Sequence, residues 1–148
     1  MITAAASKIS NYYSGKFKHL VQANVTSHMN KSTLVLGASL KDNRYSNICV
    51  KTLISGHFQV SAIGLREGFI DEIQVQTGFP EFRDIHTVTL YLGPQNQPPW
   101  YEYILKLNPK RVIFNPETEN EEFQIMLANA GIDVIEDCTI VMVQSGRY

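Results

Sequence analysis

TLVLGASLKDNRYSN, residues 33–47, decides the fold. An apolar run at 33–36 reaches Gly37, Ala38 and Ser39, passes through a polar loop carrying Arg44, and enters a helical pattern at Ser46. A strand that meets a glycine and then a helix turns free backbone N–H groups, and the positive end of the helix dipole, toward one point. A phosphate-bearing ligand is expected there.

Outward from this stretch, strand and helix patterns alternate. The first helix covers 46–55, with Ile48, Val50, Leu53 and Ile54 available for packing and Gly56 as its stop. A second strand at 59–63 ends at Gly64. Residues 67–84 read as irregular, with one short strand near 74–76. A β-branched run at 87–92 leads to Gly93 and Pro94, and Pro98 or Pro99 opens a helix reaching about Leu107. Residues 111–114 form the next strand. Thr118 and Glu121 are spaced as a capping box for a helix ending at Gly131. A strand at 133–135 follows, then a last short apolar run at 139–143. Strands separated by single helices imply right-handed crossovers. The expected fold is α/β and Rossmann-like: a mainly parallel sheet of about five strands in the order 3-2-1-4-5, with helices on both faces. Its ligand rim, beyond the strand C-termini, gathers 37–46, 64–66, 93–94, 115–117 and 137–138.

The totals limit the alternatives. The chain has 148 residues and a formal net charge of −1, so no global basic field argues for nucleic acid. The charge is uneven. Residues 1–28 hold three lysines and no acid, which leaves ten basic against fourteen acidic groups beyond them. A phosphate must therefore be held by local dipoles and one or two cations. Residues 1–28 read as an N-terminal extension to a domain at 29–148. An over-extended start with the initiator at Met29, a loosely attached helix, and least of all a targeting peptide are the competing readings. Two cysteines, Cys49 and Cys138, make no disulfide framework and no metal spacing, so the cytoplasm is the expected compartment. No apolar run is long enough to span a membrane.

Charge discriminates between the helix starts at the rim. The third opens on Thr118, Glu119, Asn120, Glu121 and Glu122, whose carboxylates already answer the dipole. The second opens through Gln95, Asn96, Gln97 and two prolines that carry no N–H. Only the first, with Asn43, Arg44, Tyr45, Ser46 and Asn47, is open to an anion, and Asp42 is the one acid beside it. Ser46 is placed as the N-cap. The dinucleotide pattern of three glycines is absent, since only Gly37 stands. The acid that holds the ribose of NAD is absent too: Gly64, Leu65 and Arg66 end the second strand. A cation there suits an extra ribose phosphate, as in NADP or coenzyme A.

GAS at 37–39, NRYS at 43–46 and the aliphatic helix after them resemble the small CoA-binding domain proteins, related to the nucleotide-binding half of the succinyl-CoA synthetase α subunit. TGFPEFRDI at 77–85, IFNPETENEEF at 113–123 and AGIDVIEDC at 130–138 are similar to later parts of that family, in order, so the resemblance runs from about Lys31 to Val143. It implies binding of coenzyme A or an acyl-CoA. By position, Gly37, Ala38 and Ser39 would line the pyrophosphate turn, Arg44 and Ser46 would approach phosphate oxygens, Arg66 would lie near the adenosine end, and Gly93 and Pro94 would flank the pantetheine path. Gly64-Leu65 stands where the family often has Asn-Pro, and Leu92-Gly93-Pro94 replaces a commonly basic stretch.

Catalytic patterns are thin. The four histidines make no triad, no serine sits in a nucleophile elbow, and Glu136 and Asp137 point to opposite faces of a strand. Cys49 reads as core, and Cys138 lies on the rim. Trp100, Tyr101 and Tyr103 read as packing, with a homodimer surface as the alternative. The expected function is binding without catalysis, with no metal. The alternatives are an NADP-type enzyme or acyl-transfer unit, and a protein-interaction domain with a degenerate nucleotide site.

Overall fold

The alternating pattern folds into one seven-stranded sheet. The computed structural model describes residues 31–148, and the readings of residues 1–28 lie outside them. The elements are β1 (Thr33–Ala38), α1 (Tyr45–Ser55), β2 (Val60–Gly64), β3 (Gly68–Ile70), β4 (Ile73–Gln76), β5 (Thr87–Leu90), α2 (Tyr101–Leu107), β6 (Arg111–Phe114), α3 (Glu121–Asn129), β7 (Asp133–Glu136) and α4 (Thr139–Gln144). The sheet order is β3-β4-β2-β1-β5-β6-β7, and every pairing is parallel except β3 with β4.

Side chains alternate between two apolar layers because successive residues of a strand point to opposite faces. Leu34, Leu36, Ile63, Val88, Leu90, Val112 and Phe114 pack with Tyr101 and Ile104 of α2 and Phe123 and Leu127 of α3. On the other face Val35, Ala62, Val75 and Ile113 pack with Cys49, Val50 and Leu53 of α1 and Met142 of α4. The three-layer arrangement is the Rossmann-like class expected.

The expected order 3-2-1-4-5 is present as β4-β2-β1-β5-β6 and is extended at both edges. Beyond β6 lies β7. Beyond β4 lies β3, inside a stretch that read as irregular. Its hairpin turns at Asp71 and Glu72, with Asp71 at φ 49°, so the left-handed residue is an aspartate and no glycine marks the turn. The apolar run at 139–143 is the helix α4, whose Thr139 and Met142 are buried. The proline-opened helix is shorter than its pattern. Two 3₁₀ turns, Pro94–Asn96 and Pro98–Trp100, come first, and α2 begins only at Tyr101. The capping box is displaced as well. Thr118 Oγ1 donates back to the Asn115 carbonyl at 2.7 Å, and Asn120 caps α3 by accepting from Phe123 N–H at 3.2 Å. No helix among the described residues is long and apolar enough to cross a membrane.

Candidate ligand-binding site

The winding of the sheet reverses at β1, which pairs with β2 on one side and β5 on the other. The crevice above the C-terminal ends of these strands is where such sheets hold ligands. β1 continues two residues past its expected end, and its register against β2 slips between Leu36 and Ala38. Gly37 sits at the slip with φ +95°. A Cβ there would lie 2.9 Å from the Tyr91 carbonyl carbon and oxygen and 3.1 Å from Leu92 Cδ2. The close exit of β5 therefore demands this glycine, whatever else it does. Gly64 closes the other flank, since a Cβ on it would stand 2.2 Å from the Ala38 carbonyl oxygen. The Ala38 side chain is buried in the layer under α1.

The loop into α1 is held by its own polar groups. Ser39 N–H donates to Ser46 Oγ at 3.1 Å, Asn47 Nδ2 to the Ser39 carbonyl at 2.9 Å, Lys41 N–H to Ser39 Oγ at 3.2 Å, and Arg44 N–H to the Lys41 carbonyl at 3.1 Å. Ser46 is thus a buried brace within the first turn rather than the cap. The cap position belongs to Arg44, which has extended backbone and makes no side-chain cap bond. A helix start leaves its first amides without intrahelical partners. Here no side chain caps them, and the first turn holds no acid. Asp42 is engaged by Lys51 at 2.9 Å. The ion pairs among the described residues are this one and Arg147 with Asp137. Arg44 is in neither and is exposed, as are Asn43 and Tyr45.

The remaining expected residues lie along the same rim. Arg66 is exposed just past Gly64. Gly93 and exposed Pro94 open the first 3₁₀ turn, directly after Leu92, whose side chain borders Gly37. Gly37, Ala38, Ser39 and Ser46 are joined by these contacts to the flanks that carry Arg66 and Gly93.

The sequence reading put Asn115 on the rim and Gln97 at the second helix start, but their bracing roles escaped it. Asn115 is buried. Its Nδ2 donates to Thr89 Oγ1 at 2.7 Å and the Leu90 carbonyl at 2.8 Å, and its Oδ1 accepts from Thr139 N–H at 2.9 Å. Gln97, also buried, donates to the carbonyls of Leu92 (2.9 Å) and Thr118 (2.7 Å) and accepts from Asn120 Nδ2 at 2.9 Å. An asparagine directly after a buried strand and before Pro116 was the available signal. Asn47 Oδ1 and the Tyr91 hydroxyl are buried without a well-formed hydrogen bond. Tyr91 lies beside Cys49, and burial pushes that thiol up to about 12. Asp137 is held below its usual range by the Arg147 guanidinium and the Cys138 N–H. A hollow of about 580 Å³ lined by Ile54, Phe58, Val60, Glu72 and Ile73 lies at the strand N-termini, away from this rim.

Comparisons with known proteins bear on the family and the fold. The family profile described as a CoA binding domain matches residues 31–144. A crystal structure of an uncharacterised protein is 42% identical, with TM-score 0.78, and the match covers 80% of this chain and 98% of that one. Prb, a protein redesigned for binding, is 19% identical with TM-score 0.72, covering 83% and 86%. A hypothetical protein from Pyrococcus horikoshii OT3 is 22% identical with TM-score 0.70, covering 86% and 89%. The last two show the fold alone. No curated protein matches the chain.

Proposed function

Since the chain belongs to the CoA-binding domain family, we propose that it binds coenzyme A or an acyl-CoA across the β1–β5 crevice, with the pyrophosphate at the start of α1, and performs no chemistry by itself. One observation carries this reading: α1 opens with uncapped amides, no acid in its first turn, and an arginine outside every described ion pair, while its nearest acid is taken by Lys51. Ser39 N–H is already spent on Ser46. The donors are therefore the first-turn amides of Tyr45, Ser46 and Asn47 rather than those of the glycine turn. Arg44 adds charge and Arg66 would meet the ribose phosphate. Gly93 and Pro94 flank the exit toward the thiol end.

His86, the imidazole that burial holds down, sits at the opposite, N-terminal end of the strands, before β5.

Calorimetric titration with CoA, dephospho-CoA, NADP and NAD tests the reading. The expected order is CoA tightest, dephospho-CoA weaker by the loss of the Arg66 contact, and NAD weakest. Tighter binding of NADP than of CoA would move the protein to the NADP-type class. No heat with any ligand at millimolar concentration would leave a protein-interaction domain.

A further inference from the structure

We propose that Phe79, Trp100 and Tyr103 form an aromatic ledge that takes the apolar acyl group of an acyl-CoA; the inference rests on the coenzyme A reading above and narrows its ligand. The three rings pack mutually, with centroids 4.6 Å apart for Phe79 and Trp100, 5.5 Å for Phe79 and Tyr103, and 5.6 Å for Trp100 and Tyr103. Tyr103 O–H donates to the Pro80 carbonyl at 2.7 Å, so its polar atom is satisfied inside the protein and its ring adds apolar surface. Phe79 remains 57% exposed. A large ring held open to water on a tied-down loop is a standing cost that an apolar ligand removes.

The ledge is continuous with the candidate site. Leu92 borders Gly37 at the switch point, Gln97 holds the Leu92 carbonyl, and Trp100 N–H donates to the Gln97 carbonyl at 2.8 Å. The path from the phosphate turn to the Trp100 ring thus runs along one braced segment, through Gly93 and Pro94. Residues 95–99 on that path are Gln, Asn, Gln, Pro and Pro, with no charge among them. This segment itself therefore sets no carboxylate between the turn and the rings. The surface is also small. Three rings, one of them largely open, fall well short of the roughly 800 Å² per partner of a stable protein interface, and they match an alkyl chain of a few carbons.

Trp100 is the one tryptophan of the 148 residues, so its emission reports on the ledge directly. The full chain is titrated with CoA, acetyl-CoA, hexanoyl-CoA and octanoyl-CoA, following heat and Trp100 fluorescence together. Affinity should rise about twofold per added methylene, less than full burial of each would give. The emission should shift to the blue with hexanoyl-CoA and octanoyl-CoA, and stay still with CoA. Phe79→Ser, at an exposed position, should abolish the chain-length gradient and keep the affinity for CoA. Phe79→Leu should retain part of the gradient. Equal affinities for CoA and octanoyl-CoA with unchanged emission would overturn the ledge and leave coenzyme A binding standing. A gradient untouched by Phe79→Ser would overturn it too, as would a dimer that Phe79→Ser dissociates. Absence of heat with every one of the four ligands would instead defeat the coenzyme A reading itself.

Discussion

At the end of β1 the first turn of α1 keeps its amides uncapped, the nearest acid, Asp42 of the preceding loop, is paired with Lys51, and Arg44 is free of any described ion pair. At the end of β6 the same kind of exposed backbone is answered from within. Asn115 spans Thr89, Leu90 and Thr139, and Asn120 caps α3 while its amide holds Gln97 and the Tyr101 hydroxyl, at 2.9 and 2.8 Å. The two halves of one rim thus carry opposite electrostatics. Buried polar groups that satisfy one another stabilise the fold and attract nothing further. Donors left open at a helix start cost little in water and welcome an anion. The teaching is that the polar residues a sheet places at its strand ends divide between closing the structure and receiving a ligand, and the partners they find decide which.

The largest effect should come from removing the geometric frame that both halves share. Gly64→Ala would drive a Cβ to 2.2 Å from the Ala38 carbonyl, which is backbone and cannot step aside. A loss of about 3 kcal/mol in urea unfolding is expected, and a variant as stable as the parent would mean that β1 and β2 can separate freely at this point. Next comes the closed half. Asn115→Ala strands the Thr139 N–H and the Leu90 carbonyl in the interior, and should lower stability by about 2 kcal/mol while leaving CoA affinity near the parent value in calorimetry.

The open half should respond in the reverse sense. Arg44→Ala is expected to shift the unfolding midpoint hardly at all, because the side chain is exposed and makes no ion pair, and to weaken CoA about tenfold, the equivalent of roughly 1.4 kcal/mol. Unchanged affinity would remove the phosphate from this helix start. A smaller effect belongs to the N-terminal end of the strands. Burial, with Arg111, Lys31 and Lys110 nearby, holds His86 below its ordinary value. As pH falls through about 6.5 the unfolded chain takes up the proton first, so stability declines there and levels off below the folded value. Urea unfolding at pH 7.5 and 5.5 should show this decline, and His86→Gln should make it shallower. Finally, burial keeps Cys49 protonated. Iodoacetamide at pH 8 should modify half-buried Cys138 in the native protein and reach Cys49 only in denaturant, with mass spectrometry as the readout.

Much of this was legible in the chain, and the reasons differ by element. Long-period signals survived: the apolar runs of β1, β5 and β6, the helix after Ser46, and the acids at the start of α3 all report burial or charge, which each residue carries by itself. Signals that depend on a partner did not. Thr118 and Glu121 have the spacing of a capping box, yet Thr118 turns to Asn115 because that carbonyl lies beside it in space. Ser46 has the chemistry of a cap, yet it braces Ser39 from within the first turn of the helix.

Taken alone, the order of residues determined the α/β class, the parallel sheet that reverses at β1, and the absence of acids from the first turn of α1, because periodicity and local charge need no knowledge of what lies across the fold. Only the tertiary structure decided that Gly37 and Gly64 are demanded by neighbouring backbone, that Asp42 is taken by Lys51, that Asn115 closes the other half of the rim, and that Phe79, Trp100 and Tyr103 meet. Each of these is a contact between residues distant in the chain or brought together by a turn, and such contacts exist only once the strands have found their neighbours.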